Sequence, residues 1–543
     1  MSPFTQYDVA VIGAGHNSLV AAALLARAGR SVIVLEQGAN VGGSVATEEF
    51  APGFRAPLCF AGVELFHPDL IKDLALERHG LRLLPERGGT GLPLANGRWL
   101  GLGGANDAVP AKDRPALSAF ASFTARMARV LTPLQTGRLP VLGAKGYAEI
   151  LDLVKLAARL RGLGARDLGE MLRFLPMPVQ DVLDERFEDE ALKAALAAPA
   201  LTAAWLGPRS AGSAWGLVHH RVASRRGLFA PPRFAAGGPG ALTAALATCA
   251  SAHGAEIRTG TRVRAISVVD GSAPRNPVAM ASGEGSARAI GVLLEDGTEI
   301  ASRAVVSGTD PRSTLLDLVG PRWLDPEIVR ALSNLRAHGS VAIVKLALDR
   351  KPRFAAAPDG DAHLAGRVQI GASLEYIERA FDCAKYGRVP ERPWLEITLP
   401  SLADGSLAPA GKHVMHVWVQ YAASDLRGTD WEKARDSLGR TVIELIDEHA
   451  PGFSGSVLHT DVLTPLDIER RLGLSGGCLY HVDMTLDQLL YMRPLPGWYR
   501  YRTPVDNLYL CGPGTHPGGG VTGLPGRNAA SRVQVPVAGP SLA

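Results

Sequence analysis

Tyr7-Asp8-Val9-Ala10-Val11-Ile12-Gly13-Ala14-Gly15-His16-Asn17-Ser18, carried on through Leu19 to Gly29 and then Ser31-Val32-Ile33-Val34-Leu35-Glu36, decides the fold. Tyr7 to Ile12 reads as a short buried strand. The Ala- and Leu-rich run from Leu19 predicts a helix stopped at Gly29, and Ser31 to Leu35 a second strand. Strand, glycine turn, helix, strand and terminal acid in this order form a dinucleotide-binding βαβ unit. Gly13 permits the tight turn, and Gly15 lets the backbone approach a pyrophosphate at the helix N-terminus, beside His16 and Asn17. Glu36 is placed to accept hydrogen bonds from a ribose and would repel a phosphorylated one, which disfavours NADP. Ser18 stands where the pattern has Gly or Ala, so the helix is expected to sit slightly further from the strand.

Beyond Glu36 come Gln37 and the pair Gly42-Gly43, followed by Ser44. A double glycine here resembles the extended fingerprint of FAD-binding oxidoreductases, in which the chain passes close to the cofactor's phosphate and ribityl region. A second glycine-rich stretch lies near the other end of the chain. The predicted strand Asn507 to Cys511 leads into Gly512-Pro513-Gly514-Thr515-His516-Pro517-Gly518-Gly519-Gly520-Val521-Thr522-Gly523. Glycines this dense cost conformational entropy, and close approach of backbone to a planar ligand accounts for them. Gly512, Gly514, Gly520, Val521 and Thr522 are therefore expected beside the flavin, with a helix over Leu524 to Val533 aiming its first N–H groups at it.

A third segment fits the same domain. Gly237-Gly238-Pro239-Gly240 precedes an Ala- and Leu-rich helix over Ala241 to Ala252, and a strand is expected over Thr261 to Ile266. Gly291 to Ile300 reads as a hairpin turning at Asp296-Gly297, and Ala304 to Ser307 as a further strand. By analogy with two-domain flavoproteins, Val263 is expected to touch the adenine through its backbone.

With these segments in hand, the chain resembles the phytoene-desaturase-like FAD oxidoreductases. The match is to the branch with the pyridine nucleotide-disulfide oxidoreductase domain-containing proteins and the FAD-type carotenoid ketolases. Gly13-Ala14-Gly15-His16-Asn17, the Gly512 to Gly520 stretch, Asp487-Gln488 and Arg493-Pro494 carry the resemblance, which spans roughly the whole length. It implies an α/β fold: a discontinuous Rossmann-like FAD-binding domain interwoven with an α+β substrate domain. The first is expected over 1–80, 233–320 and 471–543. The second is expected over 81–232, read as largely helical, and 321–470, with strands at Val341 to Leu348, Trp394 to Leu399 and His413 to Gln420. Alternation in the last suggests a sheet with one face on a cavity.

Composition narrows the functions. The net charge of +4, from 57 Lys and Arg against 53 Asp and Glu over 543 residues, is too small for nucleic acid as main partner. The five cysteines are far apart and form no C-x-x-C, so neither a disulfide framework, a zinc site nor a redox dithiol is expected. Met1 to Gln6 lacks the regions of a signal peptide and no apolar run has membrane-spanning length, which points to a cytoplasmic protein. The helix expected over Tyr147 to Leu160 puts Ile150, Leu151, Val154, Ala157 and Ala158 on one face. That face reads first as a cover for the protein's own core and, in the alternative, as a peripheral membrane contact.

No second dinucleotide fingerprint is present to hold NADPH, so the flavin is expected to be reduced by the substrate, through hydride removal from a C–H bond. Electrons then pass to oxygen, a quinone or another acceptor. An apolar, polyene-like substrate is the first expectation. Amine or amino-acid oxidation, carotenoid ketolation and a non-catalytic FAD-stabilised interaction protein remain open. His516 is the candidate acid or base, since its loop should lie beside the ring. His481 and Asp483 are expected near the cavity in structural roles, and Arg493 is expected to pair with an acid in the sheet or, in the alternative, to anchor a carboxylate.

Overall fold

A computed structural model describes residues 6–94, 96–103, 108–137, 139–141, 146–270 and 287–534. The N-terminal reading of Met1 to Thr5 lies outside them. Two seven-stranded sheets organise the chain. In the first, Glu256–Arg258, Val32–Leu35, Tyr7–Ile12, Glu299–Ser307 and Leu508–Leu510 run parallel in that order. Tyr7–Ile12 is buried along its whole length, as a central parallel strand must be. Val9 and Val11 join one apolar cluster with Val34 and Val306, whereas Ala10 and Ile12 join another with Ile33 and Val305. Each fully buried Val or Ile contributes about 1.5–3 kcal/mol relative to exposure.

Ala304 to Ser307 is not a separate strand, as expected, but the end of one long strand over Glu299–Ser307. Its first residues pair antiparallel with Ala287–Leu294 and its last pair parallel with Tyr7–Ile12. No glycine or proline interrupts Glu299 to Ser307, so nothing stops the strand between its two partners. Val263–Asp270 completes the sheet beyond Ala287–Leu294.

The second sheet has the order Val457–Leu463, Val341–Leu348, His413–Gln420, Trp394–Thr398, Arg367–Ile370, Thr90–Pro93, Trp99–Leu102. Its last two strands come from the stretch read as largely helical; both are four residues long, too short for their period-two pattern to stand out. On His413–Gln420 the alternation has the expected meaning. Val417 and Val419 pack into the core covered by the helix Trp431–His449, while His416 and Trp418 face a cavity.

The helix Tyr147–Arg161 differs from its first reading. Tyr147, Ile150, Leu151 and Val154 are exposed, and the helix leans on the protein through the half-buried Leu153, Leu156 and Leu160 instead. The sequence has apolar residues on two sides of this helix, so pattern alone does not identify the inner one. Among the described residues no helix is long and apolar enough to cross a membrane, and the five cysteines form no disulfide.

Ser18 is accommodated from the far side of the turn. A Cβ on Gly308, at the end of the long strand, would lie 1.9 Å from Ser18 Oγ. The missing side chain at 308 thus supplies the room that Gly or Ala would otherwise leave at 18. Gly308→Ala is expected to lower stability by about 1–3 kcal/mol through overpacking, and Ser18→Gly should restore most of it in the double variant. Thermal unfolding of the two single variants and the double variant checks this; additive losses would refute the compensation.

Candidate active site

A cavity of about 310 Å³ opens where the first sheet ends. It is walled by the turn Gly13 to Ser18, by Glu36 and Gln37, and by Gly43, Ser44, Val263 and Gly520. The helix His16–Arg27 points its N-terminus into this space, with Gly15 as its cap and open room where a Gly15 Cβ would stand. Glu36 accepts the Ala14 N–H on one carboxylate oxygen and the Gly38 N–H on the other, each at 2.7 Å. That fixes the carboxylate and leaves lone pairs for ribose hydroxyls.

Several buried polar atoms in this wall have no hydrogen-bond partner among the described residues: His16 Nε2, both amide atoms of Asn17, and His481 Nδ1. Unpaired buried polar groups are costly, and a nucleotide's phosphates and hydroxyls would satisfy these. Donor set, glycine cradle and helix end together fit FAD.

Not every expected contact lies on the cavity. Gly42 stands behind it, its N–H donating to Ala14 O. Gly512 and Gly514 back onto His481, whose ring a Gly512 Cβ would meet at 2.8 Å. Val521 is buried in the core of the first sheet, and the Thr522 carbonyl accepts the His67 N–H.

His516 is the main correction. It lines neither large cavity; its Nε2–H donates to Leu134 O at 2.7 Å and its ring is buried, which lowers its pKa to about 4. It is a neutral imidazole bracing the loop. The Pro517 and glycine neighbours made the loop's proximity legible but not the direction of the side chain.

His481, read as structural, does line the cofactor cavity, with a left-handed backbone at φ 66°. Asp483 turns away and accepts from His338 Nδ1 at 2.6 Å. Thr309, Ser313, Leu479 and Pro513 also line the cavity, and sequence reasoning misses them. Ser313 opens the helix Ser313–Val319, Thr309 and Leu479 stand in irregular segments, and Pro513 lies in the glycine-rich stretch as a residue with no expected contact.

Arg493 pairs with no acid among the described residues. Its guanidinium is fully buried and donates to six backbone carbonyls: Tyr480, Val482, Asp483 and Gln488 on one segment, and Pro513 and Thr515 on the glycine-rich loop. Burial without a carboxylate lowers its pKa to about 10, which still leaves the cation.

A second cavity of about 150 Å³ adjoins the first and shares Phe60 with it. Leu479 and His481 face the cofactor cavity, whereas Tyr480 between them faces the second. Phe60, Leu196, Leu217, Phe229 and Trp418 give this chamber apolar surface. The expectation of an apolar lining is only half met, because Glu64, His220, Arg221, Arg367, Glu396 and His416 line it too. Arg367 lies between Glu64 and Glu396, and burial pushes the Glu396 carboxyl upward against the pull of that arginine. The second sheet places these groups: Arg367 and Glu396 stand on neighbouring strands and His416 on the next.

Comparison with known proteins agrees with this architecture. The sequence profile described as flavin containing amine oxidoreductase matches residues 19–534. Pyridine nucleotide-disulfide oxidoreductase domain-containing protein 2 of Rattus norvegicus is 37% identical, over 97% of this chain and 93% of its own. A limonene dehydrogenase component from Castellaniella defragrans is 25% identical, over 98% of this chain and 95% of its own. A putrescine oxidase with redesigned cofactor binding shares the fold, with a TM-score of 0.59 and 15% identity over 98% of each chain.

Two outcomes are expected from this geometry. Arg493→Met leaves the carbonyls around residue 493 without donors and should cost about 3–5 kcal/mol, with loss of bound FAD. Arg493→Lys should rescue little, since three ammonium donors cannot serve six acceptors. Denaturant unfolding and flavin retention on gel filtration check both.

The second outcome concerns pH. Burial lowers His16, His219 and His516 to about 4 and His220 and His416 to about 3. Below the ordinary histidine value of about 6.5 the unfolded chain binds protons that the folded chain does not. Stability should therefore be full above about pH 6.5 and fall steadily as pH drops toward about 4, where the folded histidines begin to titrate. Thermal unfolding over that range checks it, and His416→Gln should make the decline shallower.

Proposed function

The chain belongs to the flavin containing amine oxidoreductase family, and from that membership we propose that it removes hydride from a C–H bond of a largely apolar substrate held in the second cavity. It is an FAD-dependent oxidoreductase. Bound FAD supplies the hydride acceptor, and the electrons leave afterwards to oxygen, a quinone or another acceptor. The observation that carries the reading is the shared wall: Phe60 lines both cavities, and the Leu479-Tyr480-His481 segment divides its side chains between them.

The protein's own part is positioning and exclusion of water. Phe60 packs edge-on against Trp418 at 5.3 Å, and the Trp418 indole N–H donates to Cys59 O, so the aromatic wall at the junction is fixed. The adjacent proton is released toward solvent, and the reading assigns no side chain as its base. The relative named for limonene dehydrogenation supports an apolar substrate. A non-catalytic cofactor fits poorly, because that reading calls for a flavin walled off from any chamber.

Amine oxidation is the second reading. Glu64 and Glu396, beside the aromatic rings of Phe60, Trp418 and Tyr480, are the groups an ammonium substrate would use. Arg367 between the two carboxylates weighs against it. Peripheral membrane contact belongs to the first reading, supported by the exposed Tyr147, Ile150, Leu151 and Val154.

Anaerobic mixing of the flavin-loaded protein with polyenes and terpenes, fatty acyl compounds and amines tests the proposal. Bleaching of the flavin by the first or second group is expected. Bleaching by amines alone would overturn it in favour of the second reading.

A further inference from the structure

The second cavity carries an unbalanced positive charge. Arg221, on the helix Trp215–Ser224, lines it and has no carboxylate partner among the described residues. Its Nη2 donates to the Ala121 carbonyl at 3.1 Å, and Nη1 is buried with no hydrogen-bond partner among them either. The other charges of the wall are accounted for. Arg367 is held by Glu64 and Glu396, and Arg226 shares Glu86 with Arg233. Two arginines on one glutamate and one arginine between two glutamates offset each other, so the excess positive charge is that of Arg221.

A partly buried guanidinium with unused donors is expensive unless something anionic meets it. The planar fork of arginine suits a carboxylate, which it binds with two parallel hydrogen bonds. Burial alone acts on Arg221, and it pulls the pKa down, the sign of a cation without a counter-charge. Leu196, Leu217, Phe229 and Trp418 supply the chamber's apolar share.

We infer that the substrate is an apolar molecule bearing a carboxylate, and that Arg221 anchors that carboxylate while the apolar body extends toward Phe60 and the flavin. The inference rests on the second cavity being the substrate chamber. Arg221 is a specificity residue: it binds the substrate and takes no part in breaking the C–H bond.

The test uses the flavin-loaded protein and three probes of equal length, octanoate, octanol and octylamine, read by perturbation of the visible flavin absorption. Octanoate is expected to perturb the band at the lowest concentration. Arg221→Gln should weaken octanoate by about 10-fold or more while leaving octanol close to its wild-type affinity, and Arg221→Lys should recover part of the loss. Octanoate binding no better than octanol in the wild type, a comparison that needs no variant, would overturn the inference and leave the chamber in place. So would octanoate binding that Arg221→Gln does not change. Silence from all three probes would instead remove the chamber reading, and the inference with it.

Discussion

A single buried guanidinium holds the two cavities in register. Arg493 reaches carbonyls on the Tyr480 to Gln488 segment and on the Pro513 to Thr515 loop, and neither segment has a sheet to hold it there. A carboxylate would have satisfied at most two of the five donors in one place, and would have fixed a side chain rather than a backbone. Six carbonyls instead fix the backbone course of two irregular segments. Irregular backbone this deep must find hydrogen-bond partners, and one arginine supplies them where repeating secondary structure does not. The positions of Leu479, Tyr480 and His481, and so the wall between the two cavities, follow from that bond set.

The cofactor side was largely legible in the sequence, since its physics is local. Gly13 to Ser18 and Glu36 act within one βαβ unit, and spacing along the chain is enough to place them. The strands with strong hydrophobic patterns, such as Val341–Leu348 and His413–Gln420, were legible for the same reason. What was not legible depends on contacts between residues far apart. Ser18 is relieved by Gly308, and the direction of His516 is set by the carbonyl of Leu134. The partners of Arg493 are carbonyls, which every residue has, so no residue type in the sequence marks them. The short strands Thr90–Pro93 and Trp99–Leu102 gain their identity only from the edge they join.

The second cavity shows a similar division. Its apolar share could be expected from the strand pattern, but its charged share could not. Arg367 and Glu396 are far apart in sequence and meet because their strands are neighbours, and Glu64 reaches them from a loop of the other half of the fold. A charge becomes informative only when its partner, or the lack of one, is known.

The long strand Glu299–Ser307 has a consequence for synthesis. It lies between Tyr7–Ile12 and Leu508–Leu510, so the first sheet is complete only once Leu510 has been made. At about 5–20 residues per second, the earliest strand waits roughly 25–100 s on the ribosome for the last one. During that interval the βαβ unit exists without the glycine-rich loop, and FAD can contribute little to holding it. Until Leu508–Leu510 emerges, one edge of Glu299–Ser307 stays without its strand partner, and its backbone groups there must be met by water or by transient contacts.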